Sequence, residues 1–409
     1  MDETTNPATY GENTRAVHSP APPVVSERPL GLPVYRSATF AFDTAQDYSD
    51  VLGDRAPGYT YSRIDNPTAD AFGHALAAAE GSGVPGEVTG QAFSSGMAAV
   101  STVLMTFARA GAHVVAPAAV YGGTYSLLSR VLPRFGVQAS FVDMSDLVAV
   151  QAAIRPETVV VWAETLANPT MAVADLPGLA ALASQAGALL VVDSTFASPA
   201  VCRPLAWGAD LVVHSATKYI GGHSDVTGGA VAGRPDLMGP VRATRIDLGG
   251  ALAPDDAFLL HRGLSTLPLR MERHCASALA FAEALEGHPR VQSVDYPGLP
   301  AHRDHALAGK LFEAGPEGTR YGAVVTVTPA GGRAAGMAMC DGLRLVAIAT
   351  SLGGTHSVVS HVATTTHRQM DDAALRAAGI DPAAVRVSIG LEDVDDLVAD
   401  VSQALQALG

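Results

Sequence analysis

The chain has little lysine. Its 409 residues hold 26 basic Lys and Arg side chains, yet lysine stands only at Lys218 and Lys310. Arginine serves wherever a positive charge alone is wanted. Arginine stays protonated, whereas a buried lysine can lose its proton and act as nucleophile or base. Lys218 follows the apolar run Leu211-Val212-Val213 in HSATKYIGG, 214–222. On composition alone, a chemical lysine and a surface lysine are equally open readings. Cysteine is also scarce: Cys202, Cys275 and Cys340 lie far apart. They show no metal-ligand spacing and read as reduced core residues of a cytoplasmic protein, with no metal expected.

A net charge of −14 argues against a nucleic-acid-binding face. No apolar run approaches the roughly 20 residues of a membrane span, so no membrane partner is expected. The start, MDETTNPATYGENTR, lacks the basic head and apolar run of a signal peptide. There is no internal repeat and no low-complexity tract. What remains, 48% apolar and 16% charged, is the composition of a compact globular protein with room for about two domains.

Three regions differ in texture. Residues 1–60 are rich in Pro, Thr and Ser and read as an extended arm that docks on other surfaces. Residues 61–255 alternate short apolar runs, AGAHVVAP, ETVVVWAE, GALLVVDS and ADLVVHSA, with helical stretches such as Leu176–Gln185. Such alternation predicts an α/β domain with a mostly parallel sheet covered on both faces. Residues 256–409 hold a helical run, Asp256–Leu285, the strand-like YGAVVTVTP and RLVAIATSLG, and a final amphipathic helix. They predict a smaller α+β domain. Ligands of parallel sheets bind beyond the carboxyl ends of the strands. Glu164, Asp193, Ser215 and Lys218 all fall there.

Asp193 ends an apolar strand with no adjacent cation, so a ligand or a turn can serve as its partner. Lys218 lies one strand later. An amine able to form a Schiff base, beside a carboxylate able to pair a ring nitrogen, points to pyridoxal phosphate. QAFSSGMAAV, with Gly96 and Met97 opening a helix, offers a phosphate cup, and Ser215 and Thr217 add hydroxyls. Tyr121 can stack on a ring, and Arg386 suits a substrate carboxylate. Arg63 stands in the turn-like GYTYSRIDNPT.

These residues carry a resemblance. TRAVHSP, YSRIDNPT, SSGMAAV, YGGTY, ETLANPT, VVDSTFASP, HSATKYIGGHSDVTGG, RGLSTLPLRMERH, YPGLP, SLGG and VRVSIGLEDVDDL occur in order along nearly the whole chain. In this the chain resembles the Cys/Met-metabolism family of pyridoxal-phosphate enzymes, the cystathionine γ-synthases and γ-lyases, methionine γ-lyases and homoserine-ester sulfhydrylases. The resemblance implies the PLP-dependent transferase fold of type I. It implies γ-elimination or γ-replacement on a homoserine-derived or sulfur-containing amino acid. By position, Lys218 would hold the cofactor and shuttle protons, Asp193 would pair the ring nitrogen, and Tyr121 would stack on the ring. Gly96, Met97, Ser215 and Thr217 would bind the phosphate. Tyr61 and Arg63 would reach the phosphate of a neighbouring subunit in a homotetramer, a dimer of dimers with shared sites. Arg386, Ser351 and Asn168 would bind the substrate α-carboxylate.

The chain departs from the family at three places. Gly123 stands where methionine γ-lyases typically carry cysteine. His356 replaces a glutamate frequent two residues after SLGG, and Val362 replaces a proline. Rival readings are β-elimination on cystathionine or cysteine, a γ-substitution enzyme of specialised metabolism, and a cofactor-free binding protein on the same fold.

Overall fold

The computed structural model describes residues 12–17, 29–368, 370–377 and 379–408. Residues 1–11 and 18–28 of the N-terminal arm, and with them the end of TRAVHSP, lie outside the described residues. Two compact units divide the chain, Met1–Pro33 and Val34–Gly409. The first contains the helix Glu12–Val17. The segment between Val34 and residue 60, read as extended from sequence, includes the helix Ala45–Leu52, capped by Thr44, whose side chain accepts the Asp47 N–H.

The second unit is built on a seven-stranded sheet. Its strands are β1 (Thr89–Phe93), β2 (His113–Pro117), β3 (Gln138–Val142), β4 (Thr158–Glu164), β5 (Leu189–Asp193), β6 (Leu211–His214) and β7 (Gly229–Gly233). Their order is β1-β7-β6-β5-β4-β2-β3. Only β7 runs against the others. Alternate residues feed two cores, as a sheet buried on both faces requires. Val115, Val161, Val192 and Val212 enter one core. Val114, Val160, Trp162, Val191 and Val213 enter the other. The Gly-rich β7, and β1 (TGQAF) and β3 (QASFV), lack the β-branched runs by which the other strands are legible.

A second sheet follows, interrupted in the chain after its first strand by a short hairpin of β9 (Ala314–Gly315) and β10 (Gly318–Thr319). Its strands are β8 (Val291–Asp295), β11 (Val324–Pro329), β12 (Ala347–Ile348), β13 (Val358–His361) and β14 (Val385–Ser388), in the order β12-β13-β14-β11-β8. Two expectations are corrected here. The run Asp256–Leu285 is two helices, Pro254–Ser265 and Leu267–Leu285. Pro268 lacks an N–H, and its ring would meet the Leu264 carbonyl in a continuous helix. RLVAIATSLG contributes only the two-residue β12. Ser351 has φ +82°, a left-handed conformation that no strand accommodates.

Candidate active site

Adjacent parallel strands β5 and β6 pair Asp193 with Val213, so Asp193 and the loop bearing Lys218 share one edge of the sheet. The Asp193 carboxylate accepts the Thr195 N–H at 3.0 Å. The Thr195 hydroxyl in turn accepts the Ser215 N–H at 2.8 Å. One threonine thus ties the carboxylate to the start of the lysine loop. Burial pushes the Asp193 pKa up, while the Thr195 hydrogen bonds and the charge of His214 pull it down. Behind the loop, His214 Nε2 lies 2.6 Å from Glu80 Oε1 in a buried pair.

The helix Gly96–Phe107 starts beside this loop. Its N-cap Ser95 accepts the Ala98 N–H at 3.1 Å, which leaves the N–H groups of Gly96 and Met97 free of that cap. A Cβ on Gly96 would sit 2.7 Å from Ser215 Cβ and 2.8 Å from its Oγ. Only glycine lets the helix end meet the serine hydroxyl so closely. Together they form an anion cradle of dipole, N–H groups and hydroxyl. Thr217 is placed differently: its hydroxyl donates to Gly228 O at 3.2 Å and accepts the Gly228 N–H at 3.0 Å.

A second chain of contacts leads from the lysine into the other sheet. Lys218 Nζ donates to Ser351 Oγ at 2.7 Å. Arg386 on β14 donates to Ser351 O at 3.0 Å and to Asn168 Oδ1 at 3.2 Å. Ser351, in its left-handed backbone, serves both cations at once. Strain at such a position costs about 1–3 kcal/mol and gathers at functional sites. The guanidinium also lies 6.0 Å from the centre of the Phe196 ring. Arg386 is only 5% exposed, and among the described residues its Nε has no partner. Its partners Asn168 Oδ1, Ser351 O and the Phe196 ring are neutral, an arrangement suited to an incoming carboxylate. Burial, and secondly the Arg386 charge, lower the Lys218 pKa, which favours the neutral amine.

Tyr121 is half-exposed, and its backbone N–H donates to Glu164 Oε1 at 2.8 Å. A Cβ on Gly123 would lie 2.7 Å from Tyr121 Cε1 and 2.8 Å from Met97 Sδ. The Tyr121 ring therefore leans on Gly123 and the cradle. Tyr61 and Arg63 are not joined to this cluster. Both are exposed, and Arg63 donates to Ile246 O at 2.7 Å and stacks 5.8 Å from the Tyr61 ring. His356 is exposed, with Nδ1 3.2 Å from Thr355 Oγ1.

Sequence reasoning missed Thr195 and Phe196 as site residues. Their position directly after a strand-ending aspartate is the signal that could have found them. It also missed the buried His367, whose pKa burial and Arg386 bring down to about 4.

The Cys/Met metabolism PLP-dependent enzyme family matches residues 13–406. The chain belongs to this family. It is 41% identical over 405 residues to the cystathionine gamma-synthase of Mycobacterium tuberculosis (strain H37Rv), covering 99% of each chain. It is 41% identical to the L-methionine gamma-lyase of Pseudomonas putida, covering 97% of this chain and 98% of the relative. Among solved structures, a putative O-acetylhomoserine (thiol)-lyase from Campylobacter jejuni superposes with a TM-score of 0.87 at 31% identity, over 97% of this chain and 100% of that one. That structure carries N'-pyridoxyl-lysine-5'-monophosphate. As a family member, the chain is a PLP-dependent enzyme of the γ-elimination and γ-replacement class, on the fold of type I PLP enzymes. Its residues fit the cofactor: the cradle that a Gly96 Cβ would fill suits the phosphate, and the carboxylate of Asp193 and the half-buried amine of Lys218 lie along one edge. Among the described residues, no helix is long and apolar enough to cross a membrane.

Proposed function

We propose that the enzyme catalyses γ-replacement: a thiol sulfur displaces the acyloxy group of a homoserine ester. The Cγ–O bond breaks, a carboxylate leaves, the Cγ–S bond forms, and the thiol proton is released. The observation that carries this reading is Gly123, which stands where methionine γ-lyases typically carry cysteine and where a side chain would force Tyr121 and Met97 to shift.

Pyridoxal phosphate, when bound, supplies an electron sink for the α-carbon. The chain's residues do the rest. Gly96, Met97 and Ser215 would hold the phosphate, Thr217 would brace the lysine loop through Gly228, and Asp193 would carry the negative charge that pairs the ring nitrogen. Arg386 and Asn168 clamp the α-carboxylate and so orient the Cα–H bond. Lys218, its amine held by Ser351, would remove that proton, and Tyr121 would stack on the ring and serve the leaving group. Residues 61–255 form the cofactor domain in this reading and residues 256–409 the second domain.

The test is a panel of O-acetyl-, O-succinyl- and O-phosphohomoserine, cystathionine and methionine, each with and without cysteine. Products are read by mass spectrometry. Thioether from an ester plus thiol is expected to dominate. Methionine cleaved to a 2-oxo acid with comparable kcat/KM would overturn the assignment in favour of a lyase.

The exposed Tyr61 and Arg63, set apart from Lys218, support a homotetramer whose neighbouring subunits complete each other's phosphate sites. The three buried, unbonded cysteines support a cytoplasmic location. Arg63→Ala is expected to weaken cofactor affinity. Mixed oligomers of Arg63→Ala and Lys218→Ala subunits are expected to regain up to about a quarter of wild-type activity, because some sites then draw both intact residues from different chains. Confirmed mixed oligomers without activity would place Arg63 in its own chain's site.

A further inference from the structure

Glu164 and Asp193 are register partners at the ends of β4 and β5. Register partners leave a sheet on the same face, with strands about 4.8 Å apart. The pair two residues back, Trp162 and Val191, enters one shared core. Two carboxyl groups therefore stand side by side, and like charges at that spacing do not both ionise cheaply.

Their surroundings are unequal. Asp193 stays partly accessible and has Thr195 donating to it, with the His214 charge nearby. Glu164 is 8% exposed, and its Oε1 accepts the Tyr121 N–H at 2.8 Å. Oε2 is sealed and has no partner among the described residues; the Asn168 N–H faces the carboxyl and, after the Tyr121 N–H, helps its charged form. Asp193 is the charged group that faces Glu164, and among the described residues no cation is paired with the Glu164 carboxyl. An anion at Glu164 would be buried, nearly unsolvated and beside another anion.

We infer that Glu164 is a positioning residue that holds the proton of the Glu164–Asp193 pair, leaving Asp193 as the anion that meets the cofactor ring and hanging the Tyr121 loop from a neutral carboxyl. This rests on the assignment of Asp193 above. Burial first, and Asp193 second, raise the Glu164 pKa to about 8. Neutral Glu164 therefore prevails below that pH. Above it, a second negative charge appears beside Asp193.

The test is infrared spectroscopy of the holoenzyme through a pH titration, with cofactor affinity measured in parallel. A protonated-carboxyl band is expected at neutral pH, lost near pH 8 and absent in Glu164→Gln. In Asp193→Asn the band is expected to titrate at higher pH than the ordinary carboxylate range but lower than in wild type, since one neighbouring charge is gone. Glu164→Leu is expected to weaken cofactor binding about tenfold by leaving the Tyr121 N–H unpaired. Glu164→Gln restores it, because its amide oxygen still accepts that N–H, and it removes the alkaline loss of affinity. Absence of the band in the wild type at neutral pH, or a Gln variant as weak as the Leu variant, would overturn the inference. A band that behaves as expected, with cofactor affinity unaffected in Asp193→Asn, would instead overturn the pairing of Asp193 with the ring.

Discussion

Lys218→Ala is expected to lose turnover by at least about 10⁴-fold, the upper end for removal of a positioned general base. The geometry makes a smaller effect hard to accommodate. The chain's other lysine, Lys310, sits at the end of the helix His305–Leu311. Of the other basic groups near the site, Arg386 keeps its proton, His214 is engaged by Glu80, and burial and Arg386 bring His367 down to about 4, too weak a base to replace an amine. Burial and the Arg386 charge lower the Lys218 pKa from 10.5, so its neutral form is more available than that of a surface lysine. The acid limb of kcat, which reports the substrate complex in which the amine is free, is accordingly expected below 10.5, rising with pH as the amine loses its proton. Alanine removes that limb together with the activity. The fold is expected to tolerate the change, since a charge facing Arg386 is lost and Ser351 Oγ can be rewetted. A second readout separates lost chemistry from lost structure. After borohydride reduction, the wild-type chain retains the cofactor mass covalently and the variant does not, with unchanged melting. Substantial turnover in the variant would remove Lys218 from the mechanism.

The parts of the site legible in the sequence are those that sit where a strand ends. Asp193 and Lys218 follow apolar runs that can only be buried parallel strands, so their shared edge follows from strand order. The cradle is legible for the same reason: small residues ahead of an apolar helix leave N–H groups unpaired. The Ser351 bridge between Lys218 and Arg386 is not legible in this way. It joins residues 133 and 35 positions apart across two sheets, and it depends on one backbone conformation that local propensity disfavours. Thr195 escaped because its work lies in two backbone contacts, which residue type alone does not announce. The antiparallel β7 escaped because GAVAG has too little side chain to show a period. Its closeness to the cradle explains that composition: a Cβ on Gly229 would fall 2.1 Å from Ser95 O.

Arg386→Met is expected to lower kcat/KM roughly 30- to 5,000-fold, the range for losing a buried charge partner worth about 2–5 kcal/mol. The loss should appear without a loss of stability. Burial brings the Arg386 pKa down to about 10, so the free enzyme holds the charged guanidinium against a penalty on the order of 3 kcal/mol. The sign follows from linkage. A base whose folded pKa is depressed binds its proton less well in the folded state, so stability is lost as pH falls through its unfolded value and towards about 10. At neutral pH that loss is complete. A methionine of similar length removes it while keeping contact with Phe196, so the melting temperature is expected to hold or rise. The substrate carboxylate offsets the same penalty in the wild type, which turns stored instability into recognition. Arg386→Lys is not expected to rescue, because one ammonium cannot reach Asn168 Oδ1, Ser351 O and a carboxylate in a plane. The decisive comparison is a homoserine ester against its decarboxylated amine. The wild type should bind the amino acid far better, and Arg386→Met should bind both alike. A variant that still discriminates between them would show that the carboxylate is held elsewhere.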